Sequence, residues 1–96
     1  MELSKSPKGL SFIDLGAQQV GKLYKTNIFI KANGKVVLNS GGWLTMHTKK
    51  CINLICADLG LEIYVQQKAG KWFVHYKSDG HECTKPFADH IELPIA

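Results

Sequence analysis

The sequence predicts an α+β fold, in which a small antiparallel sheet from two β-hairpins has one main helix packed on it. Turn dipeptides at Asn33-Gly34 and Ala69-Gly70, each flanked by strand-like segments, predict the hairpins. Apolar residues at helical spacing over 48–59 predict the helix. A chain of 96 residues, 45% of them hydrophobic, buries one core. This size disfavours a doubly wound cofactor-binding enzyme, which needs several strand-helix-strand units.

The N-terminal third carries the weakest signals. Residues 1–9 are polar and are expected to form a flexible tail, which leaves 10–96 as a single domain. Ser11 followed by Asp14 resembles a capping box and predicts a short N-terminal helix. Gly16 lowers the stability of such a helix by about 1 kcal/mol relative to alanine.

The first hairpin has the clearest turn signal, because Asn33-Gly34 tolerates the positive φ angles of a type I′ turn. The run Ser40-Gly41-Gly42 then interrupts the chain before Trp43. We interpret these glycines as a tight turn that lets Trp43 anchor the start of the helix against the core. They are too few to cradle a phosphate group.

The helix has both a start and a stop signal. Thr45 or Thr48 can cap its N-terminus, and Gly60 suits the left-handed residue that follows a helix ending at Leu59. Four apolar side chains at positions i, i+3, i+4 and i+7 form its buried stripe: Ile52, Ile55, Cys56 and Leu59.

The second hairpin yields the candidate site. If Ala69-Gly70 is a two-residue loop, Ile63, Val65, Trp72, Val74 and Tyr76 share one face and form core. The other face, called the outer face below, also places Glu62 opposite Lys77 as a favourable pair. We predict that this outer face binds a partner through Tyr64, Phe73, His75, Lys68, Lys71 and Lys77.

Three interpretations of the outer face remain open at this point. Aromatic rings beside lysines suit stacking of single-stranded nucleic acid and equally suit a protein interface or a homodimer. Alternatively, the N-terminal segment covers the outer face through Phe12, Ile13 and Leu15 and makes it a second layer of core.

The C-terminal part offers less specific signals. Asp79-Gly80 marks a further turn. A final short strand is expected over 83–87 or 91–95, with Pro86 and Pro94 interrupting these segments.

Residues 33–90 carry a resemblance to small uncharacterised bacteriophage proteins. Those proteins share a serine-glycine-glycine-tryptophan turn, a helix that begins with threonine and lysine and ends in Ile-Asn, a Tyr-Gln-Lys-Lys-Gly-x-Trp hairpin, and a Phe-x-Asp-Gly ending. Cys51 and His90 depart from the pattern, where arginine and glycine are common. The matching residues are Ser40-Gly41-Gly42-Trp43, Thr48-Lys49, Ile52-Asn53, Tyr64, Gln67-Lys68, Gly70, Trp72-Phe73-Val74 and Phe87-Ala88-Asp89. The resemblance implies a phage-encoded accessory protein in the bacterial host cytoplasm and implies no activity.

Charge and cysteine content limit the partner and the compartment. The formal net charge is +4, and all twelve basic residues are lysines. Because lysine lacks the planar fork of arginine, any nucleic-acid binding is expected to be weakly sequence-specific. Three cysteines without a framework spacing favour a reducing compartment. The longest uncharged stretch, Val36 to Thr48, is too short to span a membrane, so we expect a cytoplasmic protein.

Zinc and catalytic interpretations have weaker support. His75, His81, Cys83 and His90 are close in sequence, but they lack the paired spacing of structural zinc ligands. A metal-free nuclease could use His47, His75 or His90 together with a lysine, but no feature of the sequence sets the distance between the two side chains. We predict no enzyme activity, cofactor or metal.

The sequence therefore favours a small phage-encoded protein that binds and modulates a host protein of defence, transcription or replication. A lysine-mediated nucleic-acid binder is the alternative.

Overall fold

The structure, a computed structural model, describes residues 3–94. Within this range it contains one helix and eight strands. The elements in chain order are β1 (Leu10–Asp14), β2 (Gln18–Leu23), β3 (Thr26–Ala32), β4 (Lys35–Leu38), α1 (Met46–Asp58), β5 (Tyr64–Lys68), β6 (Lys71–Ser78), β7 (His81–Pro86) and β8 (Ile91–Pro94).

The strands form two antiparallel sheets. One has five strands in the order β1-β2-β3-β4-β8, and the other has three in the order β5-β6-β7. The predicted α+β class is confirmed. The two predicted hairpins lie in separate sheets rather than in one, because β2 and β8 occupy the free edges of the first hairpin.

Both predicted hairpins form with two-residue turns. Asn33 and Gly34 have φ angles of 53° and 73°, and Ala69 and Gly70 have 54° and 77°. Positive φ at both turn residues is typical of a type I′ turn. In the second hairpin Tyr64 faces His75, Val65 faces Val74 and Lys68 faces Lys71, as predicted. The face that each side chain occupies is therefore set by the turn.

The predicted N-terminal helix is wrong, because Ser11 to Leu23 lies within strands β1 and β2 and the turn between them. Gly16 adopts φ +82° and donates its N–H to a carboxylate oxygen of Asp14 at 2.9 Å. Asp14 therefore stabilises a turn instead of a helix start. The apolar side chains alternate, so that Phe12 packs against the core while Ile13 is exposed.

Both segments considered for a final strand are strands. β7 extends the second hairpin, and β8 pairs with β4 so that Leu93 lies opposite Val36. Ile95, the last residue of the predicted segment 91–95, lies outside the described residues, as do residues 1 and 2 of the predicted tail. Within the rest of that tail, the Ser4 hydroxyl donates to Asp58.

The helix begins two residues before its predicted start and ends close to its predicted end. Thr45 is the N-cap, and its side-chain oxygen accepts the N–H of Thr48 at 3.2 Å. Gly60 follows the helix with φ +70°, as its position predicted. A helix is stable here because both ends have partners for their otherwise unpaired backbone groups.

The helix packs against both sheets. It contacts β5 of the smaller sheet and β2 and β3 of the larger one. Ile55 lies against Gly21 of β2, a position where a Cβ atom would collide with the isoleucine side chain. The fully buried helix residues are Thr48, Cys51, Ile52, Ile55 and Cys56. One helix therefore supplies core to two sheets.

Asn53 joins the helix to the edge of the smaller sheet. Its side-chain amide donates to the carbonyl of Val65 at 2.9 Å, and its side-chain oxygen accepts the N–H of Val65 at 2.6 Å. β5 is an edge strand, so this backbone N–H and C=O have no neighbouring strand to pair with. The asparagine replaces that strand and fixes the position of the sheet on the helix.

We expect Asn53→Ala to lower the free energy of unfolding by about 2–3 kcal/mol, because it leaves two backbone groups of Val65 without partners. Chemical denaturation measures this difference. Gln67→Ala is the control, since it truncates an exposed amide on the same strand and is expected to change stability by about 0.5 kcal/mol or less. Equal effects of the two substitutions would contradict the assigned role of Asn53.

Candidate functional site

The outer face of the three-stranded sheet has the composition that the sequence predicted. The register places the six predicted residues on one side of β5 and β6, and β7 adds Glu82, Thr84 and Pro86 to the same side. Tyr64 is 51% exposed, and Phe73 and His75 are half-buried. The buried side chains of the opposite face are Val65, Trp72 and Val74.

Tyr64 and His75 form a fixed pair at the centre of this face. Their rings stack with centroids 4.5 Å apart and an interplanar angle of 23°. His75 Nε2 lies 2.8 Å from the Gln66 side-chain oxygen, and Nδ1 lies 2.8 Å from the Thr84 hydroxyl. Because Gln66 offers an acceptor, Nε2 carries the proton in that bond. The contacts on both ring nitrogens hold the aromatic pair in one orientation.

The charges of the outer face are arranged unevenly. Lys77 forms an ion pair with Glu62 at 3.3 Å, as the predicted register required. At the opposite end, Lys68 and Lys71 face each other across the turn, and both are exposed. Neither has an ion pair among residues 3–94. The turn end is therefore positive, and the other end, with Glu62, Lys77 and Glu82, carries one net negative charge.

The N-terminal segment does not cover the outer face. β1 is the edge strand of the other sheet, where Ile13 and Leu15 are 49% and 65% exposed and Phe12 packs against the common core. This interpretation is wrong because β1 pairs with β2 instead of folding back over the second hairpin. The outer face is left accessible over the described part of the chain.

A cavity of about 510 Å³ opens at the end of the outer face that carries Lys77 and Glu62. Tyr64, His75 and Lys77 line one side of it, and Asn53 and Leu61 belong to its lining as well. The outer face is thus not a flat surface, because it ends in a depression beside the helix.

The histidines and cysteines among residues 3–94 form no metal-binding cluster, although one pair, His47 Nε2 and Cys51 Sγ, lies 3.9 Å apart. His75 and Cys83 lie on opposite faces of the smaller sheet, because neighbouring positions of paired strands alternate in direction. His47 is at the start of the helix. Across residues 3–94 no group of three His, Cys, Asp or Glu side chains could hold a metal ion. The residues of the zinc interpretation therefore do not form a ligand set within the described part of the chain.

Cys51 and Cys56 are buried core residues, and for Cys56 the helical spacing predicted this. Burial raises the pKa of the Cys56 thiol to about 12 and also raises the pKa of Cys51. Only the thiolate is a strong nucleophile, so both thiols are inert near neutral pH.

A second cavity, also of about 510 Å³ and not predicted from the sequence, lies where the helix begins. Tyr24, Lys25, Trp43 and His47 belong to its lining. The prediction that Trp43 anchors the helix against the core is wrong, because its side chain is 68% exposed. Thr48 fills the buried position at the helix start instead. In the sequence, the two consecutive glycines directly before Trp43 were the feature that could have indicated an exposed aromatic residue.

A carboxylate fixes the loop that presents Trp43. One oxygen of Asp89 accepts the N–H and the hydroxyl of Ser40, at 2.8 and 2.6 Å. Burial would raise the pKa of Asp89, but hydrogen bonds from Ser40 and from the Gly42 N–H lower it below its ordinary value. Ser40 is 2% exposed. The loop therefore has one fixed end in the core and one exposed tryptophan.

Asp89 is expected to make stability depend on pH. Because its pKa is lower in the folded state, the stabilisation is complete above its ordinary value of 3.8 and is lost as the pH falls through the folded value. Asp89→Asn should remove this part of the pH dependence, and Asp89→Ala should cost about 1–2 kcal/mol at neutral pH. Urea unfolding at neutral and acidic pH measures both effects. Identical pH profiles for the wild type and Asp89→Asn would contradict the assignment.

No helix within residues 3–94 combines the length and apolar character needed to cross a membrane.

Comparison with known proteins gives one family. The model of the Kyanoviridae Gp96 protein family matches residues 13–94, which is more than half of the chain. No curated protein and no solved structure matches the chain. The predicted resemblance to a small phage protein is confirmed at this level. The chain belongs to the Kyanoviridae Gp96 protein family of phage proteins.

Proposed function

We propose that this phage protein binds a protein of the bacterial host, in the host cytoplasm, through the outer face of the three-stranded sheet and thereby modulates that host protein. The observation that carries the proposal is the stacked pair of Tyr64 and His75, which is exposed to solvent and fixed by hydrogen bonds from its own sheet. An interface whose side chains are already ordered loses little conformational entropy on binding.

The mixed charge of the outer face favours a protein over a nucleic acid. Glu62 and Glu82 lie on the same face as the lysines, and Glu62 already pairs with Lys77. Carboxylates along the path of a phosphate backbone would repel it, whereas a protein surface can place its own lysines and arginines opposite them. Tyrosine and other aromatic residues are also the groups that contribute most at protein interfaces.

We expect a discrete host protein to co-purify with the wild type and to be lost with Tyr64→Ser/Phe73→Ser. The control is Leu15→Ser, which removes a side chain that is 65% exposed on the other sheet. Circular dichroism and denaturation establish that each variant is folded. The proposal is contradicted if no host protein is retained by the wild type, or if the double variant retains it as well as the control does.

A second copy of the chain is another candidate occupant of the outer face. Light scattering of the wild type and of the double variant distinguishes the two cases. A monomeric mass for both supports a host partner, whereas a dimer that Tyr64→Ser/Phe73→Ser converts to a monomer would assign the outer face to self-association instead.

Binding of single-stranded nucleic acid is the second candidate function. Lys68 and Lys71 favour it, because two like charges face each other at the turn at a cost in stability. An anion placed between them would relieve their repulsion. Tyr64 and Phe73 could then stack bases at about 1–3 kcal/mol each.

Fluorescence anisotropy with labelled single-stranded DNA and RNA at low and moderate salt tests this candidate. If it is correct, binding weakens steeply with salt and is abolished by Phe73→Ala and by Lys68→Gln/Lys71→Gln. Under our proposal the wild type shows no binding at moderate salt. Salt-sensitive binding that these variants abolish would replace the proposed function.

A further inference from the structure

The cavity where the helix begins is a second candidate binding site, separate from the outer face. It is about 510 Å³ in volume, and its lining includes the buried side chains of Leu23 and Ile28 together with Tyr24 and Trp43. Pockets of this size with apolar and aromatic walls and a few polar groups are typical of binding sites.

A β-bulge gives this cavity an apolar wall. Gly21 pairs with Phe29 and the adjacent Lys22 pairs with Asn27, so that Ile28 of β3 is an extra residue without a partner on β2. Both Ile28 and Phe29 are fully buried, although neighbouring residues of a regular strand point to opposite faces. The bulge turns the Ile28 side chain, which then contributes to the cavity lining.

Tyr24 occupies its position at a cost to the fold. Its φ angle is +52°, a left-handed conformation that glycine and asparagine adopt far more readily than a bulky aromatic residue. A Cβ atom added to Gly9 would lie 2.5 Å from the tyrosine ring, so the ring packs directly on the glycine backbone. The side chain is nevertheless 60% exposed. Stability alone would favour asparagine at this turn, which indicates that the ring serves an interaction.

The exposed apolar surface extends beyond the cavity. Trp43, Leu44 and Met46 are consecutive or nearly consecutive in the chain and are 68%, 57% and 62% exposed. A small molecule held in the cavity would leave much of this surface in water. Exposed apolar patches of this kind mark contacts with larger partners. The occupant is therefore expected to be a macromolecule.

The charge around this patch selects the kind of macromolecule. Lys25 belongs to the lining, and no Asp or Glu among the described residues does. His47 Nε2 donates to the carbonyl of Lys8 at 2.8 Å, which brings the backbone of a second lysine to the rim. Lys49 and Lys50 are the fourth and fifth residues of the helix, whose first turn contains no acidic residue. Asp89 is hydrogen-bonded to Ser40 of the lining, but the lysines outnumber this carboxylate and leave the end of the molecule positively charged.

We propose that this cavity, called the Tyr24–Trp43 cavity below, docks an acidic segment of a partner protein that inserts one apolar side chain between the two aromatic residues. A second copy of the chain fits poorly, because a symmetric contact would bring the lysine-rich ends of both copies together. A nucleic-acid strand fits poorly as well, because Leu44 and Met46, which extend the exposed surface, are aliphatic side chains that cannot stack bases.

Selection from a displayed library of random short peptides tests the proposal. We expect the selected peptides to share an aromatic or large aliphatic residue flanked by Asp and Glu. The chain has two tryptophans, so ¹⁵N NMR provides an internal reference. Peptide binding should shift the indole N–H signal of exposed Trp43 and leave that of Trp72, which is 7% exposed, unchanged.

Three variants make the test specific. Tyr24→Asn should weaken peptide binding about tenfold or more while leaving stability equal or raised, because asparagine tolerates the turn conformation. Lys25→Glu should weaken binding of acidic peptides and reduce or reverse their advantage over neutral peptides of the same length. Tyr64→Asn is the matched control, since it removes a comparably exposed tyrosine from the outer face and should leave peptide binding unchanged.

Several results would overturn the proposal. These are a selection that yields no peptides or yields basic ones, peptides that shift only signals of the outer face, and binding that survives Tyr24→Asn. A shift of the Trp43 indole signal by single-stranded DNA would assign the cavity to nucleic acid instead. Because the host-protein experiment depends on Tyr64 and Phe73, failure of one proposal does not affect the other.

Discussion

The paired hydrogen bonds between the Asn53 side chain and the backbone of Val65 hold the three-stranded sheet on the helix. The sheet has one apolar face, which must be buried against another layer, here the helix. The asparagine fixes where the edge strand of this sheet lies along the helix and which way its side chains face. Val65 and Val74 then enter the core, and Tyr64 and His75 point away from it.

The single helix explains why the molecule exposes so much aromatic surface. Ile55 of the helix packs against Gly21 of the larger sheet, and Asn53 binds the backbone of Val65 in the smaller sheet. This helix covers one face of each sheet, and residues 3–94 contain no second helix that could cover the other face of the smaller sheet. The outer face is therefore a consequence of the architecture, and its ordered ring pair makes it suitable for recognition.

The two proposed surfaces differ in how their aromatic residues are held. On the outer face, Tyr64 and His75 occupy ordinary strand positions, and side-chain contacts order them. At the Tyr24–Trp43 cavity the backbone determines the arrangement, through a left-handed tyrosine, a bulge at Ile28 and a glycine turn held by Asp89. The first arrangement follows from strand alternation, whereas the second required local conformations that cost stability.

This difference also explains what the sequence could predict. Turn dipeptides and alternation were sufficient for the register of the second hairpin, so all six predicted outer-face residues share one face. Periodicity failed for Ser11–Leu23, where the conformation of Gly16 decides between a helix and a turn. The exposure of Trp43 and the role of Asn53 depend on backbone angles and on contacts between distant segments, which neither composition nor spacing reveals.

The most direct test is residue-resolved amide hydrogen exchange at Val65 and Gln67. By strand alternation both N–H groups point away from β6, but Asn53 accepts only that of Val65. We predict that in the wild type the Val65 amide exchanges as slowly as the helix amides, whereas the Gln67 amide exchanges quickly. In Asn53→Ala the Val65 amide should exchange quickly as well. Equal and rapid exchange of both amides in the wild type would contradict this prediction.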